Sequence, residues 1–271
     1  MTEFNITNIP EVSVYSISPI TGIVHVRYNT RYELCSSFMR LQEFYESDLP
    51  GIQGNVFSLE QYMDAYAKRN GGFSYTMDWS GFNIPSNIFH LFIHHYRDSV
   101  LDKLLLDKEK ILIDAINAQV NAVLPSDATF YIIGSYKDCV REASVIQHEV
   151  AHALYNLDLD YKYHADIACN VLPDRDAIID VLKEWGYSGS VIHDEVQAYA
   201  STNCNADWKS FPGVNTDDKE FIEVLGCLKA GLNAACKKHG ITLPKPHTNK
   251  ARIKLEKEYR AKYGYNAGEM I

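Results

Sequence analysis

The chain has little positive charge to offer a polyanion. Its 26 Lys and Arg are outnumbered by 35 Asp and Glu, giving a formal net charge of −9, which disfavours nonspecific binding to nucleic acid. No stretch approaches the run of consecutive apolar residues that a membrane-spanning helix needs. The opening Met1-Thr2-Glu3-Phe4-Asn5 lacks the basic segment and apolar run of a secretory signal. Six cysteines, at 35, 139, 169, 204, 227 and 236, include no C-x-x-C pair and read as reduced, mostly buried thiols. Together these absences predict a cytoplasmic protein with no membrane and no nucleic acid among its partners; delivery into another cell stays open. There is no internal repeat and no low-complexity segment. With 46% hydrophobic residues among 271, the chain has the material for a sizeable core.

What the sequence does have is His148-Glu149-Val150-Ala151-His152. Residues four apart lie on one face of a helix, so the two imidazoles can grip one metal ion, and Glu149 can reach a water bound to it. No Pro or Gly interrupts the surrounding run, which predicts a single helix from about Val140 to Asn156. Val145, Ile146, Val150, Ala151, Ala153 and Leu154 make it apolar on most sides and hence buried. Two His and one Glu in a buried helix need partners, and a zinc ion would satisfy all three. A second pair, His90 and His94, has no Glu in the matching position and reads as an ordinary helix face.

A catalytic zinc takes a third protein ligand and keeps one position open. In the predicted helix Val191–Ser201, which Ser188 or Ser190 could cap, Glu195 is flanked by Val191, Ile192, Ala198 and Tyr199. A carboxylate in the middle of an apolar face calls for a cation, whereas Asp194 faces the polar side. Asp158 is the rival, completing H-E-x-x-H-x-x-x-x-x-D; Tyr155 stands where that pattern has a turn glycine, and no Met-turn follows. His164 and His193 are the remaining options.

His148, His152 and a Glu on a later helix resemble the gluzincin branch of the zincin metallopeptidases over the stretch from His148 to about Ser201. The resemblance implies zinc held by His148, His152 and Glu195, Glu149 as general base, and a protein or peptide substrate. Thermolysin-like members carry an Asp four residues after the third ligand, where this chain has Tyr199. The oxyanion of the reaction needs a donor besides the metal, and Tyr199 and Tyr155 are the candidates, with His164 and His193 behind them. A noncatalytic zincin-like binding module and a zinc hydrolase of a non-peptide amide are the alternatives. For a deformylase, Cys139 lies too close in sequence to serve as the ligand.

The expected fold is α+β and zincin-like, one unit in three parts: 1–125, a metal-binding core over 126–243, and a basic helix and tail over 244–271. The small N-terminal lobe is expected to be β-rich and the C-terminal lobe helical. Val12–Ile17 and Ile23–Tyr28 predict a hairpin. Ser36–Glu46 and Ser58–Arg69 predict short helices, Phe73–Pro85 an aromatic loop, and Ser86 to about Ala122 a long helical stretch broken near Asp98. Thr129–Gly134 predicts a strand at the sheet edge beside the metal helix, where an extended substrate could pair with it. Residues 158–166 read as an acidic, Tyr-rich loop. Helices follow at Asp174–Trp185, Val191–Ser201 and Asp217–His239, then a basic helix around Lys245–Lys262.

Overall fold

The computed structural model describes residues 12–18, 21–97, 105–137, 139–203 and 207–247, with single positions between 251 and 261. The expected hairpin is present. Strand β1 (Val12–Ser18) pairs antiparallel with β2 (Ile23–Tyr28), Val14 opposite Val26. Gly22 closes it at φ +72°, and an added Cβ would lie 2.7 Å from the Thr129 carbonyl oxygen, so only glycine fits there. Strand β4 (Tyr131–Tyr136) runs parallel to β2, and β3 (Phe82–Pro85) lies antiparallel on its other side, giving the order β1-β2-β4-β3.

This order corrects one expectation. The strand predicted over Thr129–Gly134 is internal, and the edge strand beside the motif helix is β3, from the segment expected to be a loop. The reason lies in the patterns. All six residues of β4 are buried, as suits a strand covered on both faces. In β3, four residues after Gly81 and ending at Pro85 carry turn signals, yet an edge strand tolerates a proline because one side of its backbone is unpaired.

Side-chain alternation divides the interior into two cores. Val26, Tyr28 and Ile132 point to one face of the sheet, where they pack with Phe38, Phe44 and Ile113. Ile23, Tyr131 and Ile133 point to the other, with Val150, Leu154 and Val196. The first core is roofed by α1 (Arg31–Glu46), α2 (Leu59–Asn70), α3 (Tyr75–Asp78), α4 (Ser86–Tyr96) and α5 (Asp107–Val123). The second is roofed by α6 (Glu142–Leu157), α7 (Leu159–Asn170), α8 (Arg175–Glu184), α9 (Ile192–Thr202) and α10 (Lys219–Lys238). The architecture is therefore α+β, a small mixed sheet with a mostly helical remainder, and the lobe before residue 125 is richer in helix than expected. No helix among the described residues is long and apolar enough to cross a membrane.

Several helix boundaries differ from expectation for local reasons. Helix α1 begins at Arg31 rather than Ser36 because Thr30 and Glu33 form a capping box. The long stretch from Ser86 is two helices, α4 and α5; the break expected near Asp98 lies outside the described residues. The expected loop at 158–166 is α7: Asp158 Oδ1 accepts from the backbone N–H of Asp160 (3.0 Å) and Tyr161 (3.1 Å), and Tyr161, Ala165 and Cys169 form its buried stripe. Helix α9 has no side-chain cap; Ser188 and Ser190 bond each other instead. Most of the basic stretch Lys245–Lys262 is outside the described residues.

The motif helix α6 is tied to the sheet at its start. Arg27 makes a two-pronged ion pair with Glu142 (2.5 and 2.6 Å), and Ser135 Oγ donates to the same carboxylate (3.1 Å). Behind it, His25 Nε2 lies 2.8 Å from Ser135 Oγ and is fully buried. Burial, then the charge of Arg27, pushes the His25 imidazole down to about 3, so it stays neutral in the fold. The unfolded chain takes up that proton below about pH 6.5. Stability is thus complete above 6.5 and falls as pH drops from there towards 3, by up to about 1.4 kcal/mol per unit. Urea midpoints at pH 7 and pH 5 should differ more for the wild type than for His25→Gln; an equal difference in the two proteins would refute the assignment.

Candidate metal centre

Helix α9 packs across α6 through small and branched residues, among them Val150, Ala151, Val196 and Ala198, all fully buried. Three polar side chains point into this seam. His148 Nε2 and His152 Nε2 are 3.1 Å apart. Glu195 Oε2 lies 3.5 Å from His148 Nε2, and Glu195 Oε1 lies 3.4 Å from His152 Nε2. Among the described residues these three form the one group that could hold a metal ion.

The donor set fits zinc. Ligand bonds of about 2.0–2.2 Å at tetrahedral angles put ligand atoms about 3.3 Å from one another, close to the three separations observed. Glu195 is 3% exposed, and its Oε2 has no hydrogen-bond partner among the described residues, although a buried carboxylate oxygen without one is costly. Ionisation points the same way. Against burial, which raises it, the charges of His152 and His148 hold the Glu195 carboxyl down at about 2. Burial lowers His152, but Asp194 and Glu195 outweigh it and press the ring towards protonation. Each direction expresses one demand, a positive charge where the three side chains meet.

A second ring of contacts orients the ligands. His152 Nδ1 lies 2.8 Å from Asp194 Oδ1. Gln197 donates to the same oxygen (2.8 Å), and Tyr161 donates to Gln197 (2.8 Å). A carboxylate on the far nitrogen of a ligating imidazole fixes its tautomer and raises its basicity. On the other side, Glu149 Oε2 accepts from Asn83 Nδ2 (3.1 Å), whose Oδ1 in turn accepts from Tyr131 (2.7 Å). Burial pushes the Glu149 carboxyl up, opposed by His148 and His152. A Cβ on Gly81 would lie 2.3 Å from Glu149 Oε1, so the absence of a side chain there lets β3 close against the carboxylate.

The two candidate tyrosines part company. The Tyr199 ring stands edge-on to His148 at 4.6 Å, and its hydroxyl lies 3.3 Å from that of Tyr187. Tyr155 is not brought to the cluster: its hydroxyl donates to Asp166 (2.5 Å), with Lys162 over its ring. The rival ligands are also placed elsewhere. Asp158 caps α7 and accepts from His239 (2.6 Å) and Lys238 (3.2 Å). Against burial, these bonds hold its carboxyl at about 2. His193 is exposed beside Arg175, and His164, His90 and His94 are exposed.

The cluster lies in the wall of a cleft of about 550 Å³ between the two helical layers. Sequence reasoning missed several of its residues: Gln42, Glu46, Gly81, Asn83 and Tyr187. They come from α1, the segment between α3 and β3, β3 itself and the loop before α9, and none has a spacing that relates it to the motif. Burial, then the Glu195 charge, raises the Glu46 carboxyl, which places it in the field of the metal cluster. Comparisons with protein-family models, curated proteins and solved structures gave no match to this chain.

Glu195→Ala should abolish stoichiometric zinc binding, whereas Asp158→Ala should retain it and instead lose about 1–3 kcal/mol of stability with the α7 cap and its ion pair. Titration with zinc and urea unfolding of both variants separates the two roles; retention of zinc by the first and loss by the second would reverse the assignment.

Proposed function

We propose that this protein is a zinc-dependent metallopeptidase of the zincin type, with protein or peptide substrates. The observation that carries the reading is the meeting of His148, His152 and Glu195 beside Glu149 in the wall of one cleft. Bound by these three ligands, zinc would polarise the scissile carbonyl and lower the pKa of the attacking water.

The chain's own groups supply the rest. Glu149 takes the proton of the attacking water and passes it to the leaving amine; its burial favours this, because a carboxyl raised above its ordinary value is a better proton carrier near neutrality. Asn83 fixes the carboxylate through Oε2. Tyr199, against His148, is positioned to give the oxyanion a hydrogen bond, and Tyr187 orients its hydroxyl. The edge strand β3 lines the cleft through Phe82 and Asn83, where an extended peptide backbone could pair with it. The zincin-like fold is part of this proposal and is supported by the edge strand lying antiparallel to its neighbour beside the motif helix.

Glu149→Gln should keep one zinc per chain and lose peptide hydrolysis by about 100-fold or more. Metal analysis together with cleavage of an unstructured protein substrate tests both halves. A wild-type protein that holds no stoichiometric metal overturns the reading. Full activity in Glu149→Gln removes the proposed base. Zinc binding by a wild type that cleaves neither peptides nor other amides would favour a binding module.

A further inference from the structure

The cleft is strongly acidic. Among the described residues eight carboxylates line it against two guanidinium groups, and both guanidiniums are already taken, Arg69 by Asp48 and Arg141 by Asp207. Most of the other carboxylates also have identified partners. Asp78 accepts from Tyr66 and Ser74, Glu149 from Asn83, and Glu195 belongs to the metal cluster. Glu46, near the C-terminal end of α1, has no cationic partner among the described residues. The one hydrogen bond it receives from a described side chain is from Gln42 Nε2.

Gln42 supplies the second, independent observation. It sits one turn before Glu46, lines the cleft, and is only 2% exposed. With Nε2 committed to Glu46, its Oε1 is left as a buried acceptor without a partner among the described residues. A carbonyl oxygen kept from water with nothing to accept is costly. The second oxygen of Glu46 adds an acceptor one helical turn away. Two acceptor oxygens, one of them on a carboxyl with no ion-pair partner among the described residues, are suited by a ligand that is positive and rich in N–H. An ammonium has three donors and no acceptor and is a compact point charge, whereas the planar fork of a guanidinium suits a carboxylate with two parallel oxygens. Anionic ligands are repelled by the surplus of carboxylates.

We infer that Gln42 and Glu46 form a subsite that binds a primary ammonium group of the substrate, either its amino terminus or a lysine side chain, within the cleft that holds the metal cluster. The word substrate rests on the peptidase reading; the binding itself does not.

The test uses the Glu149→Gln protein loaded with zinc, so that ligands bind without turnover. Calorimetry at pH 7 would compare tetra-alanine with a free amino terminus, its N-acetylated form, and the N-acetylated form with one alanine replaced by lysine. At least one of the two cationic peptides should bind about 10- to 100-fold more tightly than the neutral one, the range of charge-assisted hydrogen bonds. Which of the two does so distinguishes the amino terminus from the side chain. Adding Glu46→Gln should bring that preference to within about twofold, and adding Gln42→Met should reduce it in part. Circular dichroism and zinc content confirm that each variant is folded. Equal affinity for all three peptides, or a preference that survives Glu46→Gln, overturns the inference. The outcomes separate it from the functional reading. A wild type that cleaves the neutral peptide as well as the cationic ones keeps the peptidase and sinks the subsite. A wild type that cleaves nothing, while the binding preference depends on Glu46, does the reverse.

Discussion

The packing of α9 across α6 is the constraint on which the rest of the molecule turns. The helices approach closely because the contact is made of alanine and valine, and a close, dry seam is the worst place for unpaired polar atoms. Three polar side chains meet in it, their nearest atoms 3.1–3.5 Å apart. Two unprotonated imidazole nitrogens and a carboxylate repel each other at that distance unless a cation lies between them. The apolar seam therefore does two things at once: it fixes the spacing of the donors and makes leaving them uncompensated costly. Asp194 strengthens the effect from outside by turning the His152 ring so that Nε2 faces inward.

The site also depends on both layers of the fold. The three candidate ligands come from helices on one side of the sheet, but Glu149 is held by Asn83 in β3, and Glu46 comes from α1 on the other side. The sheet joins the two, and its fastening to α6 is polar: Arg27 and Ser135, from adjacent strands, share Glu142 at the start of the helix. Gln147, in the first half of α6, donates to the Pro244 carbonyl, and Asp158, just past its far end, takes His239, so the segment after α10 is fastened to the helix too. The motif helix is thus gripped along its length by parts of the chain distant in sequence, which suits an element that must hold its side chains to a fraction of an ångström.

What could be read from the sequence followed from periodicity within single helices. His148, Glu149 and His152 belong to one helix, and Glu195 stood out because its own neighbours are apolar, which needs no knowledge of its partner. The hairpin was legible from alternation around a glycine turn. The rest depended on contacts between segments, which periodicity does not encode. Asn83 matters only because β3 lies against α6, and β3 was hidden by glycine and proline that read as turn signals. Gln42 and Glu46 lie on a helix whose apolar stripe was visible while the direction of its polar end was not. Helix α7 was obscured because its acidic, tyrosine-rich surface masks a narrow buried stripe of Tyr161, Ala165 and Cys169.

The two tyrosines show how such contacts decide a role. From the sequence alone both were candidates, Tyr199 ahead of Tyr155, each one turn from a candidate ligand. Tyr155 follows His152, but it lies at the end of α6 against α7, where Asp166 offers a nearer acceptor than anything in the cleft. Its hydroxyl is consumed there, under Lys162. Tyr199 follows Glu195 on a helix that faces the cleft, and it is braced by Trp185, Phe211 and the edge of His148. Among the described residues its hydroxyl meets only another hydroxyl, that of Tyr187. That pairing orients the group while leaving Tyr199 able to donate elsewhere, because Tyr187 can take the donor role between them. A rigid ring with a hydroxyl that can be redirected at little cost is what an oxyanion donor requires, and only one of the two positions provides it.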